Sequence, residues 1–267
     1  MGEQSGLSET ARRELADALW KASVDRVPVP QPSAAQPALT LADAYAVQQI
    51  NAQRRLDRGE RIIGRKIGLT SLAMQQQLGV DQPDYGVLTD AMAIPDGGVI
   101  VVAELVAPKL EPEYAFRIDA DLPPNPTREQ IDASIGAVAV AIEVIDSRVA
   151  DWRIGLVDTV ADNASSAAIV VGEWVDATPE LLTRIIDTDI TMTRDGETVA
   201  QGPGSAVLGD PRAAVYWLAD AIGAFGDGIA AGSTVLAGAV AAAVAIEPGT
   251  DWRAGAEGFA PVTVRAE

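Results

Sequence analysis

Residues 136–145, GAVAVAIEVI, are the most restrictive stretch of this chain. A run that is apolar on both faces at strand spacing cannot lie on a surface, so it demands a strand covered above and below. Yet Glu143 stands inside the run and Asp146 just beyond it. A carboxylate buried without a partner is strongly destabilising, so Glu143 needs a cation, a set of hydrogen-bond donors or a proton.

A second strand-like segment is KLEPEYAF, residues 109–116. Period-two alternation puts Glu111 and Glu113 on one face. Pro112 between them cannot donate to a strand ladder, which predicts an edge or a bulge. A lone E-x-E pair is most often a solvated acidic face. If Glu143 meets the pair, three carboxylates make an open oxygen site of the kind that suits Mg²⁺ or Mn²⁺.

The residue types that are missing narrow the chemistry further. The 267-residue chain has no Cys and no His, which removes thiolate nucleophiles, disulfides, Ser-His-Asp triads and the usual N/S zinc sites. Acid-base work falls to Lys, Asp, Glu, Tyr or water, and any metal must be held by oxygen. With 20 Lys+Arg against 38 Asp+Glu the net charge is −18, which disfavours nucleic acid and anionic membranes as partners. The N-terminus carries no basic start followed by an apolar run, and no stretch of transmembrane length is uninterrupted, so a cytoplasmic protein is expected. The only lysines are Lys21, Lys66 and Lys109.

Along the chain, residues 7–24 read as a helix capped by Ser8, followed by an extended connector rich in proline from Pro28 to Pro37. A second helix is expected over 40–56, opened by Thr40 with Asp43 and closed near Gly59. From Arg61 the signal turns to strands at 61–69, 99–103, 109–118, 136–145 and 167–172, with later ones near 233–237, 241–247 and 261–265. Brief helices are expected over 71–78, 127–134 and 178–185. Asp195-Gly196 marks a type I′ hairpin within 190–202, and Asp210-Pro211 starts a helix to about Ala224. The small-residue run from Ala239 to Ala243 reads as packing, as does Trp152. No regular βαβ period appears, so the expected class is mixed α+β, with a helical N-terminal region over 1–60 and a main domain over 61–267.

The stretches GRKIGLTSLAMQQQLGVDQPDYGVL (64–88), KLEPEYAF (109–116), AIEVIDSRVADWRIGLVDTVADNASS (141–166) and GPGSAVLGDPRAAVYWLA (202–219) closely resemble the 2-keto-4-pentenoate (2-hydroxypenta-2,4-dienoate) hydratases of the fumarylacetoacetase superfamily. The resemblance implies a central β-roll, a divalent metal held by Glu111, Glu113 and Glu143, and active-site roles for Lys66 and Asp84. It also implies assembly as a homo-oligomer, usually a pentamer or decamer. Thr70, Ser71 and Ser165 are candidate donors to a substrate carboxylate, although Ser71 serves equally well as a helix cap. The implied reaction adds water to 2-hydroxypenta-2,4-dienoate, giving 4-hydroxy-2-oxopentanoate in aromatic meta-cleavage catabolism. Protonation at C5 gives an electrophilic C4, water adds there and C3 is protonated.

Two alternatives remain at this point: the sister 2-oxo-3-hexenedioate (4-oxalocrotonate) decarboxylase, and a non-catalytic subunit of a hydratase-decarboxylase pair. The chain departs from the pattern where L-G-D-P at 208–211 replaces the common L-G-H-P, and again where Pro248-Gly249-Thr250 and Gly258-Phe259-Ala260-Pro261-Val262 replace a late P-G-D and L-G-S-V, which bears on the last strand. An ordinary turn is the competing account of Asp84, between Pro83 and Gly86.

Overall fold

A computed structural model of the chain describes residues 6–71, 75 and 80–267. Helix α1 (Glu9–Asp25) is capped by Ser8, whose hydroxyl accepts from the Ala11 amide at 3.2 Å. The proline connector holds one short turn, α2 (Pro32–Ala35). Helix α3 (Leu41–Asp57) opens with the expected capping box, in which the Thr40 amide donates to Asp43 at 3.0 Å and the Asp43 amide donates to Thr40 Oγ1 at 3.2 Å. Leu15, Leu19 and Val47 of these helices pack on Val149 and Val160 from the middle of the chain.

The strands are β1 (Ile62–Gly68), β2 (Asp84–Thr89), β3 (Ala93–Ile94), β4 (Gly98–Ile100), β5 (Pro108–Ile118), β6 (Ile135–Asp146), β7 (Ser166–Val171), β8 (Val175–Asp176), β9 (Asp189–Arg194), β10 (Glu197–Pro203), β11 (Thr234–Ala239), β12 (Val244–Ala245), β13 (Asp251–Ala256) and β14 (Val262–Ala266). Between them run helices α4 (Arg128–Ser134), α5 (Leu156–Ala161), α6 (Pro179–Asp187) and α7 (Arg212–Gly223). The larger sheet has the order β2-β1-β11-β5-β6-β7-β3, with β12 also on β5 and β8 also on β6. The smaller has the order β10-β9-β13-β14-β4. Pairs β1/β11, β3/β7 and β4/β14 are parallel and the remaining ladders antiparallel, which is the mixed α+β class expected.

The side-chain alternation explains the curl of the larger sheet. On one face Tyr114, Phe116, Val138, Val140 and Ile142 pack toward Trp252, Val262 and Met192 of the smaller sheet. On the other, Ala115, Ala139 and Ala141 meet Leu88, Leu236 and Ile169. Small side chains leave room for this second face to turn inward. β6 is buried almost throughout, as its composition demands.

Several local expectations change. Residues 99–103 do not form one strand: β4 ends at Ile100 and a 3-10 turn follows at Val102–Glu104. Within 241–247 only Val244–Ala245 pairs. The helix expected over 71–78 falls largely outside the described residues, although the Gln75 amide donates to the Ser71 carbonyl at 3.0 Å in helical fashion. Helix α7 begins one residue later than expected, with the Asp210 carboxylate accepting from the Arg212 amide at 2.9 Å.

Pro112 is not on an edge, because β5 lies between β6 on one side and β11 and β12 on the other. Its missing N–H falls in the gap between the Glu113–Ala239 pair and the Leu110–Val244 pair. The bulge lies in the neighbouring strand, where the β11 register slips between Leu236 and Ala239 around Gly238, at φ +103°.

Candidate metal-binding active site

Register and alternation put five charged side chains on the inward face of the larger sheet. Glu111 pairs directly with Glu143 across β5 and β6, and Glu113 follows on the same face. On the far side of β11, Lys66 pairs with both Leu236 and Gly86, and Gly68 pairs with Asp84. In a flat sheet β1 and β6 would stand three strand spacings apart, about 14 Å. The curl brings Lys66 Nζ to 3.2 Å from Glu143 Oε2. The ammonium also donates to the Ala164 carbonyl at 3.1 Å.

The three glutamates each present a carboxylate oxygen within 4.8 Å of the others. The Gly238 amide donates to Glu113 Oε2 at 2.8 Å, which the slip in β11 makes possible. Glu113 Oε1 and Glu143 Oε1 are buried without a hydrogen-bond partner among the described residues. Paired, buried and unsatisfied carboxylate oxygens fit a cation that would complete them.

Titration follows the same geometry. Burial, opposed by Lys66 and reinforced by Glu143, pushes the Glu111 carboxyl up to about 7. Burial and the neighbouring Glu143 and Glu111 raise Glu113 well above the ordinary carboxylate range. Burial works against a charged Lys66, but the surrounding carboxylates, Glu143 first, more than offset it and hold the amine above its ordinary value. Lys66 is therefore a fixed ammonium. Asp84 is 2 % exposed and its carboxyl is raised, chiefly by burial with Lys66 opposing.

The family model described as fumarylacetoacetate (FAA) hydrolase C-terminal matches residues 62–266. The chain belongs to the FAA hydrolase family. A 2-keto-4-pentenoate hydratase of Burkholderia vietnamiensis is 47% identical over 82% of this FAA hydrolase-family chain and 83% of its own length. One from Paraburkholderia xenovorans is 42% identical over 89% of this chain and 88% of its own. The solved structure of 4-oxalocrotonate decarboxylase from Pseudomonas putida G7, complexed with magnesium and adipate, superposes with TM-score 0.92 at 34% identity, covering 98% of this chain and 99% of that one. The same decarboxylase has been solved with calcium and acetate. The three-glutamate cluster of this FAA hydrolase-family chain thus sits in a fold whose relative, the decarboxylase, has been solved with magnesium and with calcium.

Two neighbouring cavities border the cluster at Glu111. One of about 190 Å³ is walled by Lys66, Asp84, Glu111 and Ser165, and the other, of about 450 Å³, by Thr70, Ser71 and Glu111. The expected donors therefore divide, with Ser165 beside Lys66 and Thr70 and Ser71 across the Gly68-Leu69 segment that borders both cavities. Asp84 is no turn residue in this FAA hydrolase-family chain: it opens β2 with its side chain against Gly68.

The small-residue run corrects its assignment as plain packing, since Ala239 through Ala243 line the second cavity. Trp152 likewise lines the first, with the Lys109 ammonium 4.2 Å above its ring. Arg148 is structural, buried and bonded to Asp162 at 2.5 Å. Sequence reasoning missed Thr159, which lines the first cavity together with Asp84 and whose hydroxyl lies 3.3 Å from Ser165 Oγ. A polar residue in the apolar stretch LVDTVA was the available signal.

Among the described residues no helix is long and apolar enough to cross a membrane.

Proposed function

We propose that this protein is a divalent-metal-dependent hydratase that converts 2-hydroxypenta-2,4-dienoate and water to 4-hydroxy-2-oxopentanoate. The observation that carries the reading is the convergence of Glu111, Glu113 and Glu143 beside the Lys66 ammonium, in a chain 42% to 47% identical to relatives named 2-keto-4-pentenoate hydratase.

Glu111, Glu113 and Glu143 would hold Mg²⁺ or Mn²⁺. When bound, the ion supplies Lewis acidity that lowers the cost of negative charge on the carboxylate and C2 oxygens of the substrate. Lys66 keeps a second positive charge at the same place, so the anionic dienoate is drawn to a site otherwise lined with carboxylates. Ser165 on one side, and Thr70 and Ser71 on the other, orient the substrate through its carboxylate. Asp84, with its raised carboxyl and Thr159 beside it, is the group we assign to move a proton at Oδ1. As the enol proton leaves, C5 gains one; water then attacks C4 and C3 is protonated, so one water enters and no carbon leaves. Trp152, Ile154 and Ala243 give the smaller cavity an apolar wall beside the charged groups.

The superposition on a decarboxylase favours a second reading, loss of CO₂ from 2-oxo-3-hexenedioate. Purified protein with Mg²⁺ or Mn²⁺ and 2-hydroxypenta-2,4-dienoate separates the two. Loss of diene absorbance with 4-hydroxy-2-oxopentanoate as product supports the hydratase. Absence of that product, with CO₂ released from 2-oxo-3-hexenedioate, replaces it by the decarboxylase. The same reading carries a cytoplasmic location and assembly as a homo-oligomer, pentamer or decamer, which mass photometry measures.

A further inference from the structure

Asn163, Ala164 and Ser165 are three consecutive non-glycine residues with positive φ, at 57°, 51° and 55°. Left-handed backbone is unfavourable for L-residues, asparagine tolerating it better than alanine or serine, so such a run persists only where its surroundings impose it. The Asn163 side chain imposes it here. Its Oδ1 accepts from the Val87 amide at 2.8 Å while its Nδ2 donates to the Val87 carbonyl at 3.0 Å. Those are the two bonds that a neighbouring strand would give to β2 at that residue.

The fit on the other side is equally close. Gly86 lies against the Asn163 carbonyl, and a Cβ there would stand 2.5 Å from that oxygen. Clamped in this way, the turn presents the Ala164 carbonyl to Lys66 Nζ at 3.1 Å. Glu143 supplies the counter-charge to the ammonium; the carbonyl, approaching from a different element, decides where along that carboxylate the ammonium rests.

We propose that Asn163 is a positioning residue, which sets the place of the Lys66 ammonium through the left-handed turn and the Ala164 carbonyl. The proposal rests on the reading of Lys66 as the charge-stabilising group of the reaction. Asn163 itself touches neither the glutamate cluster nor the cavity that holds Lys66.

The test compares the wild type with Asn163→Gly, which keeps easy access to positive φ and removes only the clamp. The crystal structure of the variant is expected to show the turn relaxed and Lys66 Nζ withdrawn from the Ala164 carbonyl. Turnover of 2-hydroxypenta-2,4-dienoate should fall by about tenfold to a hundredfold in kcat, because small misplacements of a reacting group cost that much. KM and Mn²⁺ affinity should stay within about threefold of the wild type. Asn163→Asp, which keeps the acceptor but not the donor, should fall between the two. A role confined to stability would lower Tm and leave kcat of the folded protein unchanged. That result, or a variant structure with turn and Lys66 in place, overturns the proposal. If Asn163→Gly does not fold, Gly86→Ala displaces the same turn from the opposite side and is judged by the same outcomes. A wild type inactive on the dienoate removes the hydratase reading, while the paired structures still decide whether Asn163 places Lys66.

Discussion

Glu111 and Glu143 face each other directly across the antiparallel pair β5 and β6. Like charges in that relation destabilise a sheet, and here Glu113 adds a third carboxylate on the same face. The fold holds them together with one buried cation, Lys66, which cannot balance three negative charges. The arrangement is consistent only if a further cation or protons share the site, and this sets the first expectation.

In the metal-free fold Glu111 titrates near 7, against an ordinary value of 4.5. The folded protein therefore keeps a proton that the unfolded chain has released. Stability associated with that proton is full below 4.5 and is lost as pH rises through about 7. A bound divalent ion replaces the proton, so the gap in Tm between Mn²⁺-loaded and EDTA-treated protein should widen from about pH 5 to about pH 8. Calorimetry that finds a gap independent of pH would remove the metal from this cluster.

Glu113→Gln should fold, because the amide oxygen can still accept from Gly238. It removes one ligand charge, so Mn²⁺ affinity and turnover should drop together, by about two orders of magnitude. Titration that finds wild-type affinity would place the metal elsewhere, and Glu111→Gln serves as the parallel case.

Lys66→Met leaves the buried carboxylates without their cation. Metal-free protein should lose about 3 kcal/mol of stability or more. Divalent ions should restore much of it, while turnover stays down by about a hundredfold to ten-thousandfold. Full activity in this variant would exclude Lys66 from catalysis.

Two glycines of β1 separate fold from function. A Cβ at Gly68 would lie 2.3 Å from Asp84 Oδ1 and 3.3 Å from Lys66 Nζ, so Gly68→Ala should fold but lose turnover. A Cβ at Gly64 would lie 1.8 Å from the Thr234 carbonyl, so Gly64→Ala should break the β1/β11 ladder and lower Tm first. Circular dichroism with kinetics on both variants distinguishes the outcomes; equal effects would refute the division.

Asp43 ties the N-terminal helices together, accepting from the Leu7 amide at 3.0 Å, from Thr40 Oγ1 at 2.6 Å and from Arg12 Nε at 2.7 Å. Burial opposes its charge, but these bonds hold its carboxyl down at about 2, so the stabilisation is present above its ordinary 3.8 and lost as pH falls toward 2. Asp43→Ala should cost about 2 kcal/mol or more. Urea denaturation and proteolysis of the connector measure it, and an unchanged midpoint would refute it.

Much of the local structure was legible because its causes are local. Ser8 and Thr40 cap the helices that their patterns announce, and Asp195-Gly196 makes the hairpin with φ of 51° and 85°. β2 was not legible, because QPDYG carries strong turn chemistry and only pairing with β1 extends it. Pro112 misled for a related reason: the gap its missing amide needs is made by the neighbouring strands. The cavity-lining role of the Ala239–Ala243 run was equally hidden, since small side chains serve a tight core and an open cleft alike.

The sequence by itself determined what chemistry was available: no imidazole or thiol, two glutamates on one face of a strand, and a third inside a run too apolar to be exposed. Alternation along a strand is a property of covalent geometry, so it needs no partner to be read. Only the tertiary structure decided that these residues share one site. Whether Glu143 stands opposite Glu111 depends on register, and whether Lys66 reaches it from three strands away depends on curl. Both are set by side chains far along the chain, the alanines that let one face close inward and the turn at 163–165 that meets Lys66 from the other side.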